Sequence, residues 1–229
     1  MQAPHESGLD RAQEDLLLRL DVLATSLQSP SAADADAAAF RRFLRAYYET
    51  ATFESLTQRD DPTLVAIAQQ HWAFAQTRRA DDIRVRITQP VAGSRFAAIE
   101  TVARDQPFLV DTLSIAVRAA GAAIDWSVHP VIPLSRKADG TLADGSNGDS
   151  GRAESLIRLE FEPLASEEAY TRLESDCLAA LGDVQQTVGD FPVALARSQA
   201  LAAELAVVPP GGKAADYAEA RAFLDWLCD

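Results

Sequence analysis

The chain has 229 residues, 48% of them hydrophobic and 24% charged, and carries a net charge of −13 from 21 Lys+Arg against 34 Asp+Glu. Such a chain can bury a sizeable core, while its acid excess disfavours nucleic acid and anionic membrane as partners, because both need a basic footprint. No apolar run reaches the length of a membrane span, and the N-terminal MQAPHESGLDRAQED lacks the basic-then-apolar pattern of a signal peptide.

Residues 10–28 place Leu16, Leu20, Leu23 and Leu27 on one helical stripe, which Ser29-Pro30-Ser31 stops. Over 32–50, Phe40, Phe43, Leu44, Tyr47 and Tyr48 recur at i, i+3, i+4, i+7 and i+8, the pattern of a core-facing helix. A helical turn is expected from Phe53 to Gln58. Asp61-Pro62 then reads as an N-cap followed by a first-turn proline. The helix it opens carries Leu64, Ile67, Ala68, His71, Phe74 and Ala75 on one face and closes near Arg78-Arg79. Residues 1–80 are thus expected to be a helical segment.

At residue 82 the period changes to two, with Ile83, Val85 and Ile87 inward and Arg84, Arg86 and Thr88 outward. Pro90 to Ser94 reads as a turn, and 95–103 as a second strand, less polar on both faces and therefore central. Asp105-Gln106-Pro107 places a polar residue and a proline at a helix start. Leu109, Leu113, Val117 and Ala120 form the stripe of that helix, and Gly121 sits where a left-handed cap is wanted. Ile124, Trp126, Val128, Pro130 and Ile132 then alternate with Asp125, Ser127, His129 and Val131 as a half-buried strand over 123–135.

Residues 136–153 form a polar Gly/Asp/Ser loop with Leu142 as its one apolar anchor, expected to be mobile. The strand expected from Ser155 to Glu162 sets Ile157, Leu159 and Phe161 against Arg158, Glu160 and Glu162. Ser166 caps a helix with the stripe Tyr170, Leu173, Cys177, Leu178 and Leu181, interrupted at Gly182. A further helical stretch reaches about Ala206, punctuated by Gly189 and Pro192. Residues 207–213, VVPPGGK, read as a linker, and 214–229 as one more amphipathic helix with Tyr217, Ala220, Phe223, Leu224 and Leu227.

Little here speaks of catalysis. A dinucleotide site needs a glycine turn between strand and helix. The glycines of 140–151 have no GxGxxG spacing, and no GxxxxGK[ST] occurs. His5, His71 and His129 are scattered, without HxxxH or CxxC, and Asp139, Asp144, Asn147 and Asp149 do not fit an EF-hand loop. Cys177 and Cys228 read as idle thiols, and the only lysines, Lys137 and Lys213, lie in loops. His71, on an apolar stripe, reads as a satisfied core histidine. His129 lies on the polar strand face, where it could meet a carboxylate or a ligand. Asp111, one turn into its helix, suits the macrodipole. No catalytic residue, cofactor site or metal site is expected.

Asp105-Gln106-Pro107-Phe108-Leu109-Val110-Asp111, followed by Val128-His129-Pro130-Val131, closely resembles the N-terminal region of the large bacterial NAD-specific glutamate dehydrogenases. The strand–turn–helix is also similar to the opening of an ACT domain, whose turn usually reads Asp-Arg-Pro-Gly-Leu. The resemblance implies an α+β, ACT-like (ferredoxin-like βαββα) antiparallel sheet over 81–206, with the helical segment before it and helices after it. The usual fourth ACT strand is missing, and the strand at 82–89 is expected to fill its place. The helix at 214–229 would lead directly into the next domain, so Asp229 is expected to be a cut point. Such enzymes are cytoplasmic homo-oligomers that deaminate L-glutamate to 2-oxoglutarate with NAD, and their catalytic core lies downstream. This region would then be non-catalytic, with NAD bound elsewhere in the whole enzyme.

ACT domains also bind amino acids at the helix N-terminus, where free N–H groups suit a carboxylate. The resemblance therefore makes Asp105, Gln106, Pro107, Phe108, Leu109, Ser127 and His129 candidate effector contacts. Ligand-binding members carry glycine where this chain has Phe108. Its ring is expected to occupy that space or fill the core, in which case Phe108→Gly would cost about 3–5 kcal/mol. Interdomain or subunit packing is the favoured role, with an amino-acid sensor or a standalone ACT-like regulator as alternatives.

Overall fold

The computed structural model describes residues 6–27, 34–90, 95–143, 151–207 and 209–228. The Ser29–Ser31 break, the turn after Pro90, and Asp144, Asn147 and Asp149 lie outside them. The chain divides into two units, Met1–Leu181 and Gly182–Asp229.

The first unit is built on an antiparallel sheet. β1 (Arg84–Thr88), β2 (Ala97–Arg104), β5 (Arg152–Phe161) and β3 (Ile124–Val128) run in the order β1-β2-β5-β3, and β4 (Val131–Leu134) also pairs with β5. The early strand therefore takes the edge beside β2. The single strand expected over 123–135 is split at His129-Pro130. A proline has no N–H to give a ladder, but the Pro130 carbonyl still accepts from Leu156 N–H at 3.0 Å.

One sheet face is covered by α1 (Glu6–Leu27), α2 (Asp34–Glu49), α3 (Phe53–Leu56) and α4 (Asp61–Ala75). Leu16, Leu20, Phe43, Leu44, Tyr47, Leu64 and Ala68 form one core with Val102, Trp126, Val128, Ile132 and Leu156. The helical segment therefore shares its core with the sheet. The aromatic stripe of α2 sits at its centre, with the Phe43 ring 5.3 Å from Tyr47 and 4.8 Å from Trp72. Each such buried side chain contributes roughly 1.5–3 kcal/mol. The cap of α4 is Asp60 rather than Asp61: the Asp60 carboxylate accepts from Thr63 N–H at 2.9 Å, which places Pro62 inside the first turn. The helix stops at Ala75, short of the expected Arg78-Arg79, because the chain turns there to bond with 140–142.

On the other face α5 (Leu109–Ala119) packs against β3 and β5, burying Leu109, Leu113 and Val117. Gly121, with φ +86°, ends it as a Schellman cap: its N–H donates to Arg118, and Ala122 N–H donates to Val117. Beside α5 runs the start of α6 (Glu167–Glu204), which buries Tyr170, Leu173, Cys177 and Leu181; Leu178, expected on that stripe, is exposed. In the second unit, α6 continues through Gly182, Gly189 and Pro192 without the expected breaks. Neither glycine has a positive φ or a close neighbour, so each is a weak helix position rather than a turn. α7 (Ala214–Cys228) completes that unit and leaves Phe223, Trp226 and Leu227 exposed.

Three further expectations are corrected. The outward faces of β1 and β5 do not face water. Arg84 and Arg86 lie over the Phe74 ring of α4, 4.3 and 4.4 Å from its centroid, and Arg158 and Glu160 are buried. Alternation separates two faces but does not say that the polar one is wet. The start of the supposedly mobile loop is also well held, since Arg78 N–H donates to Gly140, Lys137 N–H to Thr141 and Leu142 N–H to Gln76. Finally, β5 begins at Arg152, three residues before the strand expected from Ser155.

Candidate functional site

The turn from Asp105 to Leu109 leaves the end of β2 and enters α5, and its Asp105 N–H donates to Ala153 on β5 at 3.1 Å. Pro107 is not the first helical residue. Phe108 precedes α5 with φ +71°, the only non-glycine positive φ among the described residues, and no side chain caps the helix. The Phe108 ring is 65% exposed, so it neither fills the core nor closes the turn. A bulky L-residue held in the left-handed region costs of order 1–2 kcal/mol. Because the ring is not buried, the expected penalty for Phe108→Gly disappears. The variant should instead gain about 1 kcal/mol in urea unfolding, as relief of strain outweighs glycine's added chain entropy.

His129 joins this turn. Its Nε2 lies 2.5 Å from Ser155 Oγ, and burial pushes the imidazole down while the charge of Asp105 opposes that shift. Ser127 lies exposed opposite Leu159 and makes no side-chain hydrogen bond to the turn or to His129 among the described residues. Gln106 and Pro107 lie within the turn, and Leu109 is buried in the core. Of the seven candidates, five are consecutive in the turn, and His129 is linked to it through the charge of Asp105.

A second constellation escaped sequence reasoning. Across the helix-covered face of the sheet, Arg86, Glu100 and Arg158 lie directly opposite one another on β1, β2 and β5. Arg86 and Arg158 both donate to the Glu100 carboxylate, Arg158 Nη1 at 2.7 Å. Arg158 also donates to Glu160 at 2.9 Å, and Arg59 donates to Glu160 at 2.7 Å and Asp125 at 3.0 Å. The Arg59 guanidinium lies 5.3 Å over the Trp126 ring. Burial alone would raise the Glu100 carboxyl, but His71 in its protonated form, together with Arg158 and Arg86, outweighs it and holds Glu100 below its ordinary value.

Against this chain stand Tyr47 and His71. His71 Nε2 lies 3.0 Å from the Thr101 carbonyl and so carries the proton, and Tyr47 O–H donates to Nδ1 at 2.8 Å. Burial lowers this imidazole to about 4, so it is neutral at pH 7. His71 is the satisfied core histidine that its stripe implied.

At the other end of β5, Glu154 accepts from Arg78 (Nη2, 2.9 Å) and Arg136 (Nε, 2.7 Å), with all three side chains largely buried. Burial would raise the Glu154 carboxyl, and the two arginines bring it below its ordinary value. The only sequence signal for either network was a set of charges on the polar faces of strands. Among the described residues every buried side-chain nitrogen or oxygen has a partner, and no group of three or more His, Cys, Asp or Glu is placed to hold a metal. Burial pushes the Cys177 thiol up to about 12, an unreactive setting. No described helix is long and apolar enough to cross a membrane. These networks are suited to locking helices onto a sheet.

The chain is similar to the NAD-specific glutamate dehydrogenase of Pseudomonas aeruginosa, with 29% identity over 196 residues, 82% of this chain and 12% of that protein. The chain thus spans about an eighth of its relative's length. The family model for the glutamate dehydrogenase ACT1 domain matches residues 43–177, from the middle of α2 through the sheet and α5 into α6. With that match over more than half its length, and an α+β antiparallel sheet to carry it, the chain belongs to the glutamate dehydrogenase ACT1 domain family.

Proposed function

We propose that this chain is a non-catalytic packing region of a large NAD-dependent glutamate dehydrogenase, an enzyme that oxidatively deaminates L-glutamate to 2-oxoglutarate. In this reading the whole enzyme is a cytoplasmic homo-oligomer that binds NAD in another domain. The region joins neighbouring domains or subunits, with 1–80 and 81–206 as its two structural parts, 207–213 as linker and 214–229 leading onward.

The observation that carries the reading is the outward side of α5. Phe108 is 65% exposed and Ile115, two turns on, is 66% exposed. Ile115 stands at the rim of a groove of about 650 Å³ between α5 and α6, lined largely by small residues such as Ala116, Ala119 and Ala169. A strained backbone that presents an aromatic ring to water has no benefit within the isolated fold, and such outliers are kept where a contact uses them.

The test is Phe108→Gly in the full-length enzyme, read by sedimentation alongside the stability of this chain alone. The chain should become slightly more stable while the assembly weakens; an assembly unchanged in size and concentration dependence would sink the reading.

The uncapped N-terminus of α5 favours a second reading, an amino-acid sensor using Asp105, Gln106, Pro107, Phe108, Leu109, Ser127 and His129. A calorimetric titration of the chain with glutamate, aspartate and other amino acids separates the two. Saturable binding that Phe108→Gly alters would support the sensor.

A further inference from the structure

The molecule is strongly acidic, yet several of its basic side chains line one cleft. A cleft of about 410 Å³ at the end of the sheet is lined by Arg78, Arg104, Arg136, Lys137 and Arg152, with Glu154 as the one acidic side chain among the described lining residues. Five of the chain's 21 basic residues, including one of its two lysines, therefore converge against a single carboxylate among the described lining residues, in a protein of net charge −13.

The cleft has two layers. Its floor is rigid: Arg78 and Arg136 grip Glu154, and their remaining donors go to the carbonyls of Arg79, Ala80 and Asp82 and of Gly140 and Ala75. Glu154 cancels only one of these two positive charges. At the rim, Arg104 from the end of β2, Lys137 from the turn after β4 and Arg152 from the start of β5 are exposed, and none makes an ion pair among the described residues.

Two glycines let the walls close. A Cβ on Gly140 would stand 2.8 Å from the Arg78 carbonyl oxygen, and one on Gly151 would stand 2.6 Å from the Leu134 backbone. Like charges brought together from three segments repel one another; the Asp139 carboxylate senses the charge of Lys137 but does not close an ion pair with it, and Arg104 and Arg152 have no ion pair among the described residues. A concave site of one sign also focuses its field on a counter-ion.

We infer that this cleft binds a small oxyanion carrying two negative charges, a phosphate group or a dicarboxylate. The rim cations make the contacts, and the fixed Arg78–Glu154–Arg136 floor supplies field and shape. The inference is independent of the packing role.

The test is calorimetric titration of the 229-residue chain with inorganic phosphate and with succinate at matched ionic strength, using acetate as the singly charged reference. Saturable binding of either dianion, weakened at least tenfold in Arg104→Ala/Lys137→Ala/Arg152→Ala, is the expected result; the dianion that binds identifies the chemistry. The three substitutions are at exposed positions, and circular dichroism verifies that the variant is folded. The inference is overturned if neither dianion binds more tightly than acetate, or if the triple variant binds with unchanged affinity.

Discussion

Replacing Glu100 by methionine should destabilise the chain by about 3–5 kcal/mol, a large share of the stability of an ordinary domain. Glu100 is fully buried and is the shared acceptor of Arg86 and Arg158. Without it, Arg158 keeps only Glu160, which Arg59 also holds, so a buried guanidinium is left short of charge. Arg86 suffers less, being one-third exposed and already donating to the Gln70 carbonyl.

A buried pair is costly to break but often close to neutral to replace whole. The double variant Glu100→Met/Arg158→Met should therefore recover most of the loss. Urea unfolding of wild type, each single variant and the double variant decides the point. A double variant as unstable as the sum of its parts would mean that packing, not charge, dominates at these positions.

The second large effect is acid sensitivity from His71. In the unfolded chain this imidazole titrates near 6.5, and in the folded chain near 4. Between those values the unfolded state binds the extra proton, so stability is fully present above about pH 6.5 and is lost as pH falls toward 4. The gap corresponds to about 3 kcal/mol, with about 2–3 kcal/mol already gone by pH 4.5.

Glu100, Arg158 and Arg86 face the ring, and of these the Glu100 carboxyl, held below its usual value, keeps its contribution above about pH 4.5 and loses it as pH falls further. Urea midpoints measured from pH 7 to 4.5 should fall steeply for the natural chain. They should fall much less for His71→Gln, which starts less stable because the bond from Tyr47 is disturbed. Equal slopes for both proteins would remove His71 as the cause.

Much of the architecture was legible because it is local. Phe40, Phe43, Leu44, Tyr47 and Tyr48 can share one side only of a helix, and all five are buried. The alternation from Trp126 to Leu134 survives the interruption at Pro130, with Trp126, Val128, Ile132 and Leu134 all inside. Gly121 could be read as a cap because a positive φ after a helix is a property of a few adjacent residues.

The errors have one kind of origin. Asp60 displaced Asp61 as cap because either carboxylate is compatible with the same sequence, and the backbone path decides which meets Thr63. The Phe108 ring was expected to occupy the space at the turn or fill the core, because a large apolar ring is usually covered, but the turn is tied to Ala153 and the ring is exposed.

The sequence by itself therefore determined the type and order of the elements and the apolar face of each, since periodicity and capping depend on neighbours a few residues away. The tertiary structure alone decided that the polar faces of β1 and β5 are covered. It also decided that Glu100 meets residues 14 and 58 positions away, and that Arg59 reaches Glu160 across 101. Those partners follow from strand register and from where four helices come to rest on the sheet. Register is a cooperative property of the whole packed unit, and no window of sequence contains it.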